Sequence, residues 1–236
     1  MEDLAYGLPW DETIENRVEM LTEATELMLE LWSSDEPVTF EGTHYSTQDA
    51  LCNPKPIQHP HPPIWFGEVT RPTLDACTKY GQGWNTTPVS ITELRRRLGL
   101  LREACDRQNR DFDDLELSLE TQLLVAPDLD AIRARLRDLA ALAEAAAGEQ
   151  RGQVKGFVSS YAADDDFLSF VSGTSDAIPS RLAEDWIIGT PDQVETRLRA
   201  YIAEGIDHFM IWFMDAPNLA GMELFASAVA PRFERA

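Results

Sequence analysis

The chain is poor in lysine, cysteine and histidine, and each shortage removes a class of chemistry. Only Lys55, Lys79 and Lys155 are lysines among 20 basic residues, which face 41 acidic ones for a net charge of −21. A surface of that sign repels a phosphate backbone, so no nucleic-acid partner is expected. Abundant acid with scarce lysine resembles the surfaces of salt-adapted proteins; a GC-rich genome, which favours arginine over lysine, gives the same pattern. Cys52, Cys77 and Cys105 are far apart and form no CxxC pair. So sparse and odd a set reads as reduced packing residues. The four histidines (His44, His59, His61, His208) assemble no metal-ligand cluster by spacing. His59 and His61 flank Pro60 in a proline-rich approach, where exposure is the expected state. No apolar run reaches about eighteen residues, so no membrane span is expected. The N-terminus, MEDLAYGLPWDE, is acidic and lacks the basic and apolar regions of a signal peptide, which makes the cytoplasm the expected location. There is no P-loop, and no Ser/His/Asp or Cys/His set at a recognisable spacing.

What remains is an ordinary globular composition: 236 residues, 44% hydrophobic and 26% charged, enough for one large domain or two small ones. The most informative stretch is PKPIQHPHPPIWFGEVTRPTLDACTKYGQGWNTT, residues 54–87. Ile64-Trp65-Phe66 is a short apolar run of the kind a fully buried parallel strand shows. Gly67-Glu68-Val69-Thr70 then turns the chain. Pro72 suits a first helical turn, with Thr70 or Arg71 as the cap of a helix over 73–80. Gly81-Gln82-Gly83 closes that helix before Trp84-Asn85-Thr86. A strand that delivers a glycine turn onto a helix start is suited to holding an anionic group, although every βαβ unit contains such a turn.

Around this stretch the patterns alternate. Residues 12–32 form an amphipathic helix through Ile14, Val18, Leu21, Leu27, Met28, Leu31 and Trp32, preceded by a compact loop in which Trp10-Asp11 can staple and cap. Residues 38–45 alternate around Gly42 as a hairpin or an extended insertion. Helix 91–108 and strand 115–126 follow, and Asp128 caps a long Ala/Leu/Arg helix to about residue 147. Residues 148–185 read as a loop-rich insertion, with 154–161 extended and Asp164-Asp165-Asp166 capping a short helix. Thr190-Pro191-Asp192-Gln193 is a capping box that opens a helix to about Glu204, which Gly205 ends. Ile206 to Phe213 reads as a buried strand, with a last helix over 218–229. Strands alternating with helices argue for an α/β fold with a parallel sheet or barrel.

Taken in order, AYGLPW, FEGTHY, NPKPIQ, PPIWFGE, GWN, IIGTPDQV and GIDHFMIWF resemble the bacterial-luciferase-like superfamily of flavin- or deazaflavin-dependent oxidoreductases, most closely its coenzyme F420-dependent branch. Each motif is weak; the ordered set is strong. The resemblance implies a (β/α)8 TIM-barrel-type fold, with PIWF, GWN, LELSLETQLLVA and DHFMIWF as its last four strands. An eight-strand barrel needs about 250 residues before insertions. The implied architecture over residues 1–236 is therefore a single luciferase-like domain that is an incomplete barrel, its C-terminal half plus insertions.

The resemblance also implies a site. Gly67, Glu68, Val69 and Thr70 correspond to the family's phosphate-holding turn, with the amides of Val69 and Thr70 facing the phosphate. Most F420-type members carry a second glycine where this chain has Glu68. Trp84, Asn85 and Thr86 end the next strand at the face where such barrels work, as ring or tail contacts or as a buried tryptophan with its turn. Thr190 is the start of a helix before it is a ligand. His208 and Trp212 share one side of the last strand, with core packing favoured over a lining role, and Tyr6 with Trp10 form either a lid or a staple. No residue is singled out as catalytic. The cofactor implied is F420 or FMN, the partners a small-molecule substrate and either a second copy or a complementing chain. Two functions stay open: an oxidoreductase performing hydride transfer or monooxygenation, and a truncated, non-catalytic relative that binds flavin or packs with a partner.

Overall fold

The computed structural model describes residues 5–7, 13–146 and 164–233. Two compact units divide the chain: Met1–Asn85 with Arg97–Glu116, and Thr86–Arg96 with Leu117–Ala236.

The first unit opens with helix α1 (Ile14–Ser33), then the antiparallel hairpin β1 (Val38–Glu41) and β2 (Ser46–Ala50). The hairpin is fastened to α1 by one carboxylate. Glu23 accepts the backbone N–H groups of Thr43 and His44, each at 2.8 Å, and of Tyr45 at 2.5 Å. The proline-rich connector leads to β3 (Trp65–Phe66), helix α2 (Arg71–Tyr80) and β4 (Gly83–Thr86), with β3 and β4 parallel and Trp65 opposite Gly83. Gln82 clasps the strand start from both sides: its amide donates to the Ile64 carbonyl at 2.8 Å, and its side-chain oxygen accepts from the Ile64 amide at 2.9 Å. Helix α3 (Ile91–Gln108) matches the expected span. Arg107 ties it back to Asp75 of α2 at 2.6 Å.

The second unit is built on β5 (Glu116–Val125), which carries two parallel partners. β6 (Trp186–Gly189) pairs with its 122–125 half and β7 (His208–Phe213) with 118–123. Helix α4 (Leu129–Ala146) starts at Asp128, whose carboxylate accepts the Ala131 amide at 2.8 Å, the expected cap. Short helices α5 (Asp165–Val171) and α6 (Ser180–Asp185) precede β6, followed by α7 (Pro191–Ala203) and α8 (Ala220–Ala228). Leu124, Ile132, Leu136, Phe167, Phe170, Leu182 and Trp186 form one buried cluster between β5, β6 and helices α4 to α6. Each such side chain contributes about 1.5–3 kcal/mol by leaving water.

Several expectations need correction. Ile64-Trp65-Phe66 is not fully buried: Phe66 is, but the Trp65 ring is 37% exposed, because it lies over Gly83 and keeps an outer face. Residues 206–213 are not a buried strand either. β7 alternates between exposed and half-buried positions, with Met210 47% and Trp212 60% exposed. His208 is exposed on that same side, so core packing does not describe it. The strand has a neighbour along only one edge among the described residues. His61 is half-buried rather than exposed, its ring stacked on Trp32 at 6.2 Å. The strand over 186–189 was not anticipated, while the short helix after Asp164 was. The expected extension at 154–161, the Trp10-Asp11 staple and the Trp10 part of the lid fall outside the described residues.

Candidate functional site

The turn after β3 opens into a cleft of about 700 Å³ in the first unit. One wall is α1, whose Ile14, Val18, Leu21, Thr25 and Met28 recur at three- and four-residue spacing and so share a face. The other wall runs from Ile64 through Gly67, Glu68 and Thr70 to Thr73. The apolar stripe of α1 therefore faces a space rather than a filled core, and Ile14, Leu21 and Met28 stay about two-fifths exposed. Arg17 lies on the same wall and brings positive charge to it.

Backbone geometry sets the turn. Glu68, not Gly67, adopts the left-handed conformation, at φ +71°. A β-carbon added at Gly67 would meet nothing closer than the Asn85 carbonyl oxygen at 3.8 Å, an ordinary contact. The protein's own packing thus imposes no glycine there. Trp84 is fully buried and its Nε1 donates to the Glu68 carbonyl at 3.0 Å, so it holds the turn from beneath. Gly83 makes room for this layer: a β-carbon on it would fall 2.3 Å from the Trp65 ring.

Helix α2 begins at the end of the turn. Thr70 occupies the cap position without a capping side-chain bond; its hydroxyl pairs with that of Thr73 at 2.7 Å. The first amides of a helix have no intrahelical partners and carry the positive end of its dipole. Pro72, in the first turn, removes one N–H. Arg71 is exposed at this start, 3.9 Å from Asp75.

Of the seven site residues expected from sequence, Gly67, Glu68 and Thr70 line the cleft and Val69 lies between them. Trp84 reaches the turn only from behind. Asn85 is half-buried with its carbonyl next to Gly67, and Thr86 is buried. Tyr6 is exposed by 83%. Thr190 starts α7 through the expected capping box, its amide donating to Gln193 at 2.9 Å. Arg17 and the α1 stripe were missed as site residues, although the helical spacing that names them was visible. Among the described residues no group of three or more His, Cys, Asp or Glu side chains is placed to hold a metal ion. No helix among them is long and apolar enough to cross a membrane.

A model of the luciferase-like monooxygenase family matches residues 2–208. The F420-dependent glucose-6-phosphate dehydrogenase of Microbacterium testaceum (strain StLB037) is 26% identical over 238 residues, covering 100% of this chain and 66% of that protein. Among solved structures, an F420-dependent secondary alcohol dehydrogenase in complex with an F420-acetone adduct superposes with a TM-score of 0.68 at 19% identity, over 96% of this chain and 64% of the other. A riboflavin lyase with modified FMN and riboflavin gives 0.68 at 14% identity, over 98% and 60%. The chain thus spans less than two thirds of the length of the proteins it matches, and over that part its fold is of the luciferase-like TIM-barrel type. The family model spans residues 2–208, well over half of the sequence, and the chain belongs to the luciferase-like monooxygenase family.

Proposed function

We infer that the cleft between α1 and the 67–70 turn is the phosphate end of a cofactor site in a luciferase-like oxidoreductase. Such an enzyme uses F420 or reduced FMN to transfer hydride to, or to monooxygenate, a small organic substrate. The observation that carries this reading is Gly67: it borders the cleft, and no neighbouring atom of the protein requires it to lack a side chain. A glycine with that much room lets a ligand approach the backbone. The residues present fit a phosphate-bearing cofactor. The amides of Val69 and Thr70 precede a ten-residue helix whose dipole favours an anion, Arg17 adds positive charge, and the α1 stripe offers an apolar wall. Trp84 acts as a positioning residue through the Glu68 carbonyl.

When bound, F420 or FMN supplies the redox chemistry itself. This chain's residues bind the tail, orient it along the cleft and shield its apolar part from water. The test is a titration of the purified chain with F420 and, separately, with FMN, read by cofactor absorbance and tryptophan fluorescence. Gly67→Val is expected to weaken binding at least tenfold with an unchanged circular dichroism spectrum. Equal affinity would remove the turn from the site. Binding of neither cofactor by the parent would favour the non-catalytic relative that packs with a partner.

A further inference from the structure

We propose that the acidic face of α1 decides which cofactor the cleft takes: it disfavours a phosphate that carries a polyanionic tail, so the chain takes FMN in preference to long-tailed F420. The inference rests on the cofactor reading above and names the ligand class of that same site. The two cofactors differ at the phosphate. In FMN the phosphate ends the molecule. In F420 it is a diester that continues through a lactyl group into a chain of glutamates, and each added glutamate brings one more carboxylate.

Two faces of α1 meet at the place where that difference is felt. Ile14, Val18, Leu21, Thr25 and Met28 line the apolar cleft. Next to them on the helix, Glu15, Glu19, Glu23 and Glu26 recur at four-, four- and three-residue spacing and line a second cleft of about 460 Å³. The two clefts adjoin twice. Val18 belongs to both, and the start of α2 borders the first through Thr70 and Thr73 and the second through Pro72. A phosphate held by the amides of Val69 and Thr70 thus sits between an apolar space and an acidic one. The apolar space suits a ring and its ribityl chain, while a charged group attached beyond the phosphate enters the field of four carboxylates.

Nearby cations offset that field only in part. Lys79 pairs with Glu26 at 3.3 Å, and His44 lies 3.8 Å from Glu19. Glu23 accepts the three hairpin amides, bonds that favour its ionised form. Glu15 and Glu19 are exposed, and Glu68 adds a carboxylate at the turn itself. Arg17 stands on the apolar wall, where it serves the phosphate rather than a tail beyond it. At low ionic strength charges act over about 30 Å, and two carboxylates about 8 Å apart weaken binding roughly twofold. At physiological salt the range shrinks to about 8 Å and much of the effect is screened.

The experiment titrates the purified 236-residue protein with FMN, with short-tailed F420 and with long-tailed F420, at low and at high salt. Cofactor absorbance and tryptophan fluorescence read the affinities. At low salt the long-tailed form is expected to bind at least threefold more weakly than the short-tailed form, and more weakly than FMN. High salt is expected to bring the two F420 forms within about twofold of each other. Glu15→Gln combined with Glu19→Gln, at exposed positions, is expected to keep the thermal transition of the parent and to bring the same ratio within about twofold at low salt. Glu103→Gln, on α3 and lining neither cleft, is expected to leave the ratio unchanged. Long-tailed F420 that binds as tightly as the short-tailed form or as FMN, or a ratio that survives the double variant, would overturn the inference alone. Binding of neither cofactor in any form would overturn the cofactor reading and this inference with it, which tells the two failures apart.

Discussion

Glu68 is the residue at which the cofactor reading is most exposed to refutation. It combines two features that oppose anion binding at the turn: a negative side chain and a left-handed backbone on a residue with a β-carbon. The backbone term is about 1 kcal/mol. Replacement by glycine relieves it but adds about the same amount of unfolded-state entropy, so Glu68→Gly is expected to leave stability within about 1 kcal/mol of the parent. The charge acts on binding. A carboxylate one or two residues from the donating amides lies about 7 Å from a phosphate held there. In a water-like dielectric that repels a dianion by about 1 kcal/mol, and physiological salt screens roughly half of it. Glu68→Gln removes only the charge, and Glu68→Gly removes both features. Both variants are expected to bind F420 or FMN about two- to fivefold more tightly, with the gain larger at low ionic strength. Fluorescence titration at low and high salt, with urea melts of all three proteins, reads each term separately. Unchanged or weaker binding by Glu68→Gln at low salt would mean that no phosphate sits at this turn, or that the carboxylate itself accepts a bond from the ligand.

Gly83→Ala drives a β-carbon into the rigid Trp65 ring and is expected to destabilise the protein by about 1–3 kcal/mol in urea melts; a loss below about 0.5 kcal/mol would show that the ring moves aside freely. Burial works to raise the Glu23 carboxyl, but the amides of Tyr45, His44 and Thr43 and the nearby His44 charge outweigh it and hold the group below its ordinary value. Its contribution to the hairpin is therefore complete above the unfolded carboxyl value of about 4.3 and lost as pH falls through the lower folded value. Exchange at the 43–45 amides should accelerate across that acid window, and Glu23→Gln should abolish the pH dependence; a window at or above the ordinary value would contradict the assignment. Burial pushes the Cys77 thiol up to about 12 and raises that of Cys105, so a thiol reagent at pH 8 is expected to label Cys52 rapidly and the other two only on unfolding. Rapid labelling of Cys77 in the native protein would show that the layer beneath the turn opens.

Features encoded within a few residues were legible in the sequence; features that depend on what covers a surface were not. The capping box at Thr190 and Gln193, the cap at Asp128 and helix 91–108 rest on local hydrogen bonds and a 3.6-residue period, and the structure contains all three. The four-residue strand at 186–189 was hidden because its apolar run directly follows a helix and is too short to show a period of its own. Gly67 marked the turn, yet the left-handed residue is its neighbour, and nothing in a glutamate announces φ above zero. The α1 stripe was legible as one apolar face of an amphipathic helix, and the β7 run was read as buried because apolar runs usually are. In this chain the first lines a cleft, and the second has one exposed and one half-buried face, with one paired edge among the described residues. Periodicity says which side of an element is apolar, and only the partner decides whether that side is buried. Along β7 only one edge is paired among the described residues, and an apolar pattern that reads as core lies there on a strand of alternating exposed and half-buried positions.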